Sequence, residues 1–102
     1  MEEENNMNKY VLSKPVDFDG EIFKELDLDF DSLTGEDILS AERQFNAIAA
    51  KTRDVVSMKE TSKSYLSLVA ARAAKVAPEL MNKLSAKDFS KVTVLAQNFL
   101  LA

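Results

Sequence analysis

Asp27, Asp29 and Asp31 alternate along the chain as the first three ligands of a calcium loop would, which makes them the first grouping to test for chemistry. Such a loop needs glycine at its sixth position for the sharp turn and a bidentate glutamate at its twelfth. Ser32 and Ile38 stand there instead, so the three aspartates read as the solvated face of a strand. Glu42 beside Arg43 could cap, pair or do acid–base work, and Arg72 among alanines could grip a partner's carboxylate. The sequence has no histidine and no cysteine, however, which removes the commonest general base, the commonest transition-metal ligand and every thiol nucleophile together. The structural readings are therefore favoured: Glu42 as a helix-surface carboxylate and Arg72 as an arginine snorkelling from the rim of a core. No catalytic, metal-ligating or cofactor-binding residue is assigned, and the chain reads as non-enzymatic.

Those side chains need elements to hold them, and 102 residues suffice for one domain that buries roughly 60–70% of the surface of its unfolded chain without disulfides. A net charge of −4 with no Lys/Arg-rich block argues against a nucleic-acid partner, because that affinity rests on basic side chains displacing counterions. No apolar run reaches the ~18 residues that span a bilayer, and Met1-Glu2-Glu3-Glu4 is acidic where a signal peptide would be basic. A cytoplasmic protein is expected.

Residues 1–8, with three glutamates and three asparagines, have no apolar periodicity and are expected to be a disordered lead-in to a single domain over 9–102. Tyr10, Leu12, Val16, Phe18, Ile22, Leu26, Leu28 and Phe30 fall on even numbers, the period of strands with one buried face, and Asp19-Gly20 marks a hairpin within 9–30. A two-residue loop would put Val16 and Ile22 on opposite faces. A three-residue loop of Phe18, Asp19 and Gly20, closed by a bulge at Gly20, is expected instead, pairing Val16 with Ile22, Leu12 with Leu26 and Tyr10 with Leu28. Pro15, having no N–H, places the first strand at an edge or kinks it.

Leu33-Thr34-Gly35-Glu36-Asp37-Ile38 reads as a helix start: Thr34 caps, Asp37 closes an acidic capping box, and Leu33 staples onto Ile38. The helix is expected over 35–52, burying the face of Ile38, Ala41, Phe45, Ile48 and Ala49. After a linker around 51–57, a second helix over 58–77 is so rich in alanine and leucine that it should lie centrally, and Pro78 should stop it and open a short helical turn. Leu84-Ser85-Ala86-Lys87-Asp88-Phe89 repeats the staple, cap and acidic box, so a last helix is expected over 86–101. The fold class is α+β, an N-terminal hairpin followed by three main helices, mostly helical.

From Leu26-Asp27-Leu28-Asp29-Phe30-Asp31-Ser32-Leu33-Thr34-Gly35-Glu36-Asp37-Ile38, with Ala41-Glu42 after it, the chain resembles the tail assembly chaperones of Mu-like and related long-tailed phages. The likeness continues through Ser13-Lys14-Pro15-Val16, Asp19-Gly20, Ala70-Ala71-Arg72, Leu84-Ser85, Asp88-Phe89 and Asn98-Phe99-Leu100. It implies a protein of the infected bacterium's cytoplasm, absent from the mature virion, that binds the phage tape measure protein and keeps it soluble. By the same resemblance, the tail tube protein and a longer form of the chain made by programmed frameshifting are further partners. Leu26, Leu28, Leu33, Thr34, Gly35, Asp37 and Glu42 carry the resemblance as structural residues. A small structural protein of the tail, or an acidic antitoxin or adaptor, would share the length and the lack of catalytic groups. Partner contact is expected from the more exposed among Tyr65, Leu66, Leu68, Phe99 and Leu100, in the two most apolar helices, since exposed apolar patches mark interfaces. For Phe99-Leu100-Leu101 docking into the domain itself is the favoured reading, with partner contact or continuation into a longer translation product as the alternatives.

Overall fold

The computed structural model describes residues 8–52 and 62–102, the last four of the first stretch as backbone. The lead-in expected over 1–8, apart from Asn8, most of the linker and the start of the second helix at 58 lie outside the described residues. An antiparallel hairpin of β1 (Lys9–Phe18) and β2 (Glu21–Asp27) leads through a 3-10 turn at Phe30–Ser32 into helices α1 (Gly35–Thr52), α2 (Lys63–Ala74), α3 (Pro78–Met81) and α4 (Ala86–Leu101). The class is α+β and mostly helical, as the sequence pattern predicts.

The hairpin differs from expectation at its turn. Phe18 pairs with Glu21, Asp17 with Ile22 and Val16 with Phe23, so the loop is the two-residue Asp19-Gly20. Both residues have positive φ, 55° and 83°, the requirement of a primed turn that matches the right-handed twist of the flanking strands. The irregularity expected at Gly20 lies further down the ladder. Between the pairs Val11–Glu25 and Val16–Phe23, β1 holds residues 12–15 against Lys24 alone. A surplus of three residues lets β1 keep its even-numbered side chains inward, with Tyr10, Leu12, Val16 and Phe18 all at the core, while β2 changes from Phe23 near the turn to Leu26 at the far end. Ile22 consequently points outward, 55% exposed. One sequence feature and one structural one favour the bulge where it is: Pro15 has no ladder donor, and the N–H groups of Ser13 and Lys14 find another acceptor, described below.

β2 ends at Asp27, earlier than the expected strand over 9–30, and Leu28 extends the pairing by donating its N–H to the Asn8 carbonyl at 2.8 Å. Phe30 then stacks on Phe99 with ring centroids 5.4 Å apart, which ties the 3-10 turn to the end of α4.

α2 is the central helix. Tyr65, Leu66, Leu68, Val69, Ala70, Ala71 and Ala73 are all buried, and its alanines let the helices on either side approach closely. Against it lie Ala41 and Phe45 of α1, the latter edge-on to Tyr65 at 5.9 Å, together with Val92 and Ala96 of α4. Full burial of a Leu- or Val-sized side chain contributes roughly 1.5–3 kcal/mol. The helix stops at Ala74, short of Pro78, because Lys75 turns left-handed (φ 59°) and the Val76 N–H reaches back to the Ala71 carbonyl at 3.0 Å. Pro78 occupies the first turn of α3, where its missing N–H costs nothing. Among the described residues no helix is long and apolar enough to cross a membrane.

Candidate functional site

The densest polar cluster gathers around Asp88, whose residue is fully buried. Its position follows from α4's own start: Ser85 caps the helix by accepting the Asp88 N–H at 3.2 Å, which sets Asp88 at the third helical position facing β1. The Ser13 N–H donates to both carboxylate oxygens at 3.0 Å, the Lys14 N–H donates to Oδ2 at 3.3 Å, and the Ser13 hydroxyl donates to Oδ2 at 3.1 Å. The Tyr10 hydroxyl donates to Oδ1 at 2.9 Å. Asp88 thus replaces β2 as the acceptor for the bulged stretch of β1.

Burial by itself would raise the Asp88 pKa, but the Ser13 N–H, the Tyr10 hydroxyl, the Lys14 N–H and the Ser85 side chain outweigh it and bring it down to about 2. Burial first, then the hydrogen bond to Asp88 and its charge, push the Tyr10 phenol up to about 12. A carboxylate ionised at neutral pH and occupied by four donor groups is a poor proton acceptor for a substrate. It is an anchor, and the pattern of a capping box foretells the helix start without its distant donors.

A second cluster joins α1 to α2. Arg72 lies 3.6 Å from Asp37 and bonds weakly to Gln44 at 3.5 Å, while its Nε is buried without a hydrogen-bond partner. The Thr34 N–H chiefly lowers the Asp37 pKa against the opposing effect of burial, with the Thr34 hydroxyl, Arg72 and Lys75 adding to it. Arg72 therefore sits at the core rim as a tie between helices. Of the other residues singled out in the sequence, Leu26 and Leu28 are buried, Leu33 packs against the core, Thr34 and Gly35 are exposed and Glu42 is half-buried. Asp27 and Asp31 are exposed and Asp29 half-buried, and among the described residues no group of three Asp or Glu could hold a metal ion.

The apolar surface lies elsewhere than expected. Tyr65, Leu66 and Leu68 retain only 2–4% exposure and belong to the core, so they cannot contact a partner while the domain is folded. A helix apolar on every side signals a central position, and centrality removes it from the surface. Phe99 and Leu100 are half-buried, Phe99 against Phe30 and Leu100 against the core cluster, whereas Leu101 is 61% exposed. Val11, Ile22, Leu39 and Ile48, the last expected in the buried face of α1, are exposed singly on other elements, whereas on the outer side of α4 Val94 and Leu95 are exposed next to each other, at 44% and 40%. Together with Tyr10, Ser90 and Lys91 they line an open groove of about 440 Å³ between β1 and α4. The signal was present in the sequence as a run too apolar for one buried face: Val92 and Ala96 fill the inner side, which leaves Val94 and Leu95 outside.

Compared with models of protein families, with curated proteins and with solved structures, the chain matches none.

Proposed function

We propose that this protein is a phage or prophage tail assembly chaperone: a non-enzymatic protein of the host cytoplasm that binds the tape measure protein of its own phage through that protein's helices and assists tail tube assembly. The observation that carries the reading is the exposed apolar stripe of α4. Val94, Leu95 and Leu101 recur along one side of a helix whose opposite side is already committed to the core, a surface suited to covering another helix. The resemblance running from Leu26 to Ile38 supplies the client's identity, and a longer frameshifted form would present the same domain. The polar clusters fit a binding role too, because Asp88 and Asp37 serve as structural ties.

Co-expression tests the reading. The chain should co-purify with the tape measure protein and raise its soluble yield. If it does neither and is found stoichiometrically in mature particles, it is a structural component of the tail and the chaperone reading is wrong.

A further inference from the structure

We infer that the groove between β1 and α4 receives an amphipathic helix whose apolar stripe is flanked by carboxylates. The inference takes from the preceding reading only that the client is helical.

The shape of the surface argues for a helix. Lys91, Val94, Leu95, Asn98 and Leu101 are all exposed and recur at three and four, so the strip follows α4 for three turns, about 15 Å, as a ridge against which a second helix can lie. Its floor is apolar, and one wall is prepared in advance. The Tyr10 ring lines the groove while its hydroxyl is held at 2.9 Å by Asp88, whose carboxylate is itself fixed by the backbone of Ser13 and Lys14. An aromatic anchor locked before binding loses little freedom on complex formation.

The charge on the rim selects the partner's sign. The exposed ionic residues of α4 are Lys87 and Lys91, its one acid, Asp88, being buried, and neither lysine pairs with an acid among the described residues. The protein as a whole is acidic at −4, but residues 62–102 carry six lysines and arginines against two acids. An apolar strip bordered by unpaired lysines, on a protein that otherwise repels anions, favours a helix with glutamates beside its leucines and opposes a basic one.

The test uses the full chain and two synthetic helical peptides with leucines at three-four spacing, one flanked by glutamate and the other by lysine. The glutamate peptide should bind, shifting the amide resonances of Tyr10, Ser90, Lys91, Val94 and Leu95, and the lysine peptide should bind about tenfold more weakly or not at all. Leu95→Glu should weaken the glutamate peptide about tenfold or more, whereas Leu39→Glu, on an exposed site of α1, should leave it unchanged. Lys87→Glu with Lys91→Glu should reverse the preference between the peptides, a result that loss of folding could not produce. Equal affinity for both peptides, resonance shifts centred elsewhere, or indifference to Leu95→Glu would overturn the inference. So would sedimentation showing a dimer that Leu95→Glu dissociates, since the occupant would then be a second copy. Capture of the tape measure protein unaffected by Leu95→Glu would sink the groove and leave the chaperone reading standing. Peptide binding without capture would do the reverse.

Discussion

Leu33-Thr34-Gly35-Glu36-Asp37-Ile38 and Leu84-Ser85-Ala86-Lys87-Asp88-Phe89 place the same kinds of residue at five of six positions, differing at Glu36 against Lys87, yet their aspartates have different surroundings. At the first, the Thr34 N–H donates to Asp37 at 2.9 Å and the Asp37 N–H donates to the Thr34 hydroxyl at 3.3 Å, a reciprocal box closed within four residues. At the second, Ser85 still caps through the Asp88 N–H, but the carboxylate turns away to a strand 75 positions back in the chain. A local motif fixes where an acid stands at a helix start. What packs over that start decides which donors it serves, and the bulge in β1 supplies donors at one site that the other lacks.

The largest expected effect of that contrast is on stability. Asp88→Ala leaves the N–H groups of Ser13 and Lys14 and the Tyr10 hydroxyl without their acceptor, and should cost about 3 kcal/mol or more in urea denaturation. Asp37→Ala, at a half-exposed box, should cost clearly less, and equal losses would break the comparison. The next effect is acid sensitivity. Since the folded Asp88 pKa is depressed from 3.8 to about 2, its contribution is complete above pH 3.8 and is lost as pH falls through 2. Asp88→Asn should flatten the stability profile across that window, and a profile as steep as the parent's would assign the acid lability elsewhere. At the alkaline end the sign reverses. The raised Tyr10 pKa gives stability that is complete below pH 10 and fades as pH rises through about 12, which NMR titration of the Tyr10 ring should display directly.

Smaller effects sharpen the local half of the comparison. Thr34→Ala should cost about 1 kcal/mol, and an unchanged melting temperature would show that the cap does not contribute. Gly35→Ala should stabilise by about 0.5 kcal/mol, because a Cβ there meets nothing within 4 Å and the substitution removes freedom from the unfolded chain. A loss on that substitution would mean that the first turn of α1 depends on glycine.

The helix starts could be read directly from the two hexamers because their signals lie within six residues of one another. Features set by distant residues are not legible in this way. Asp19-Gly20 is itself a two-residue turn signal, and it conflicts with a single parity over both strands; the parity fails because β1 holds three surplus residues. Pro15 hinted at the irregularity without giving its size. The donors that settle it, Ser13 and Lys14, are backbone groups and leave no trace in side-chain identity. Tyr65, Leu66 and Leu68 show a different limit: the same apolarity fits a central helix and a binding surface, and only the packing around α2 tells the two apart. Discriminating Val94 and Leu95 from Val92 and Ala96 requires knowing which side of α4 meets α2.

The link between Asp88 and the bulge also constrains the order in which the protein can be completed during synthesis. The first strand is synthesised with two backbone donors whose acceptor, residue 88, is added only 75 positions later than Ser13. At roughly 5–20 residues per second, that delay is about 4–15 s. Until then Asp88 cannot accept from the bulged stretch of β1. The first strand therefore completes its hydrogen bonding only when the last helix is in place.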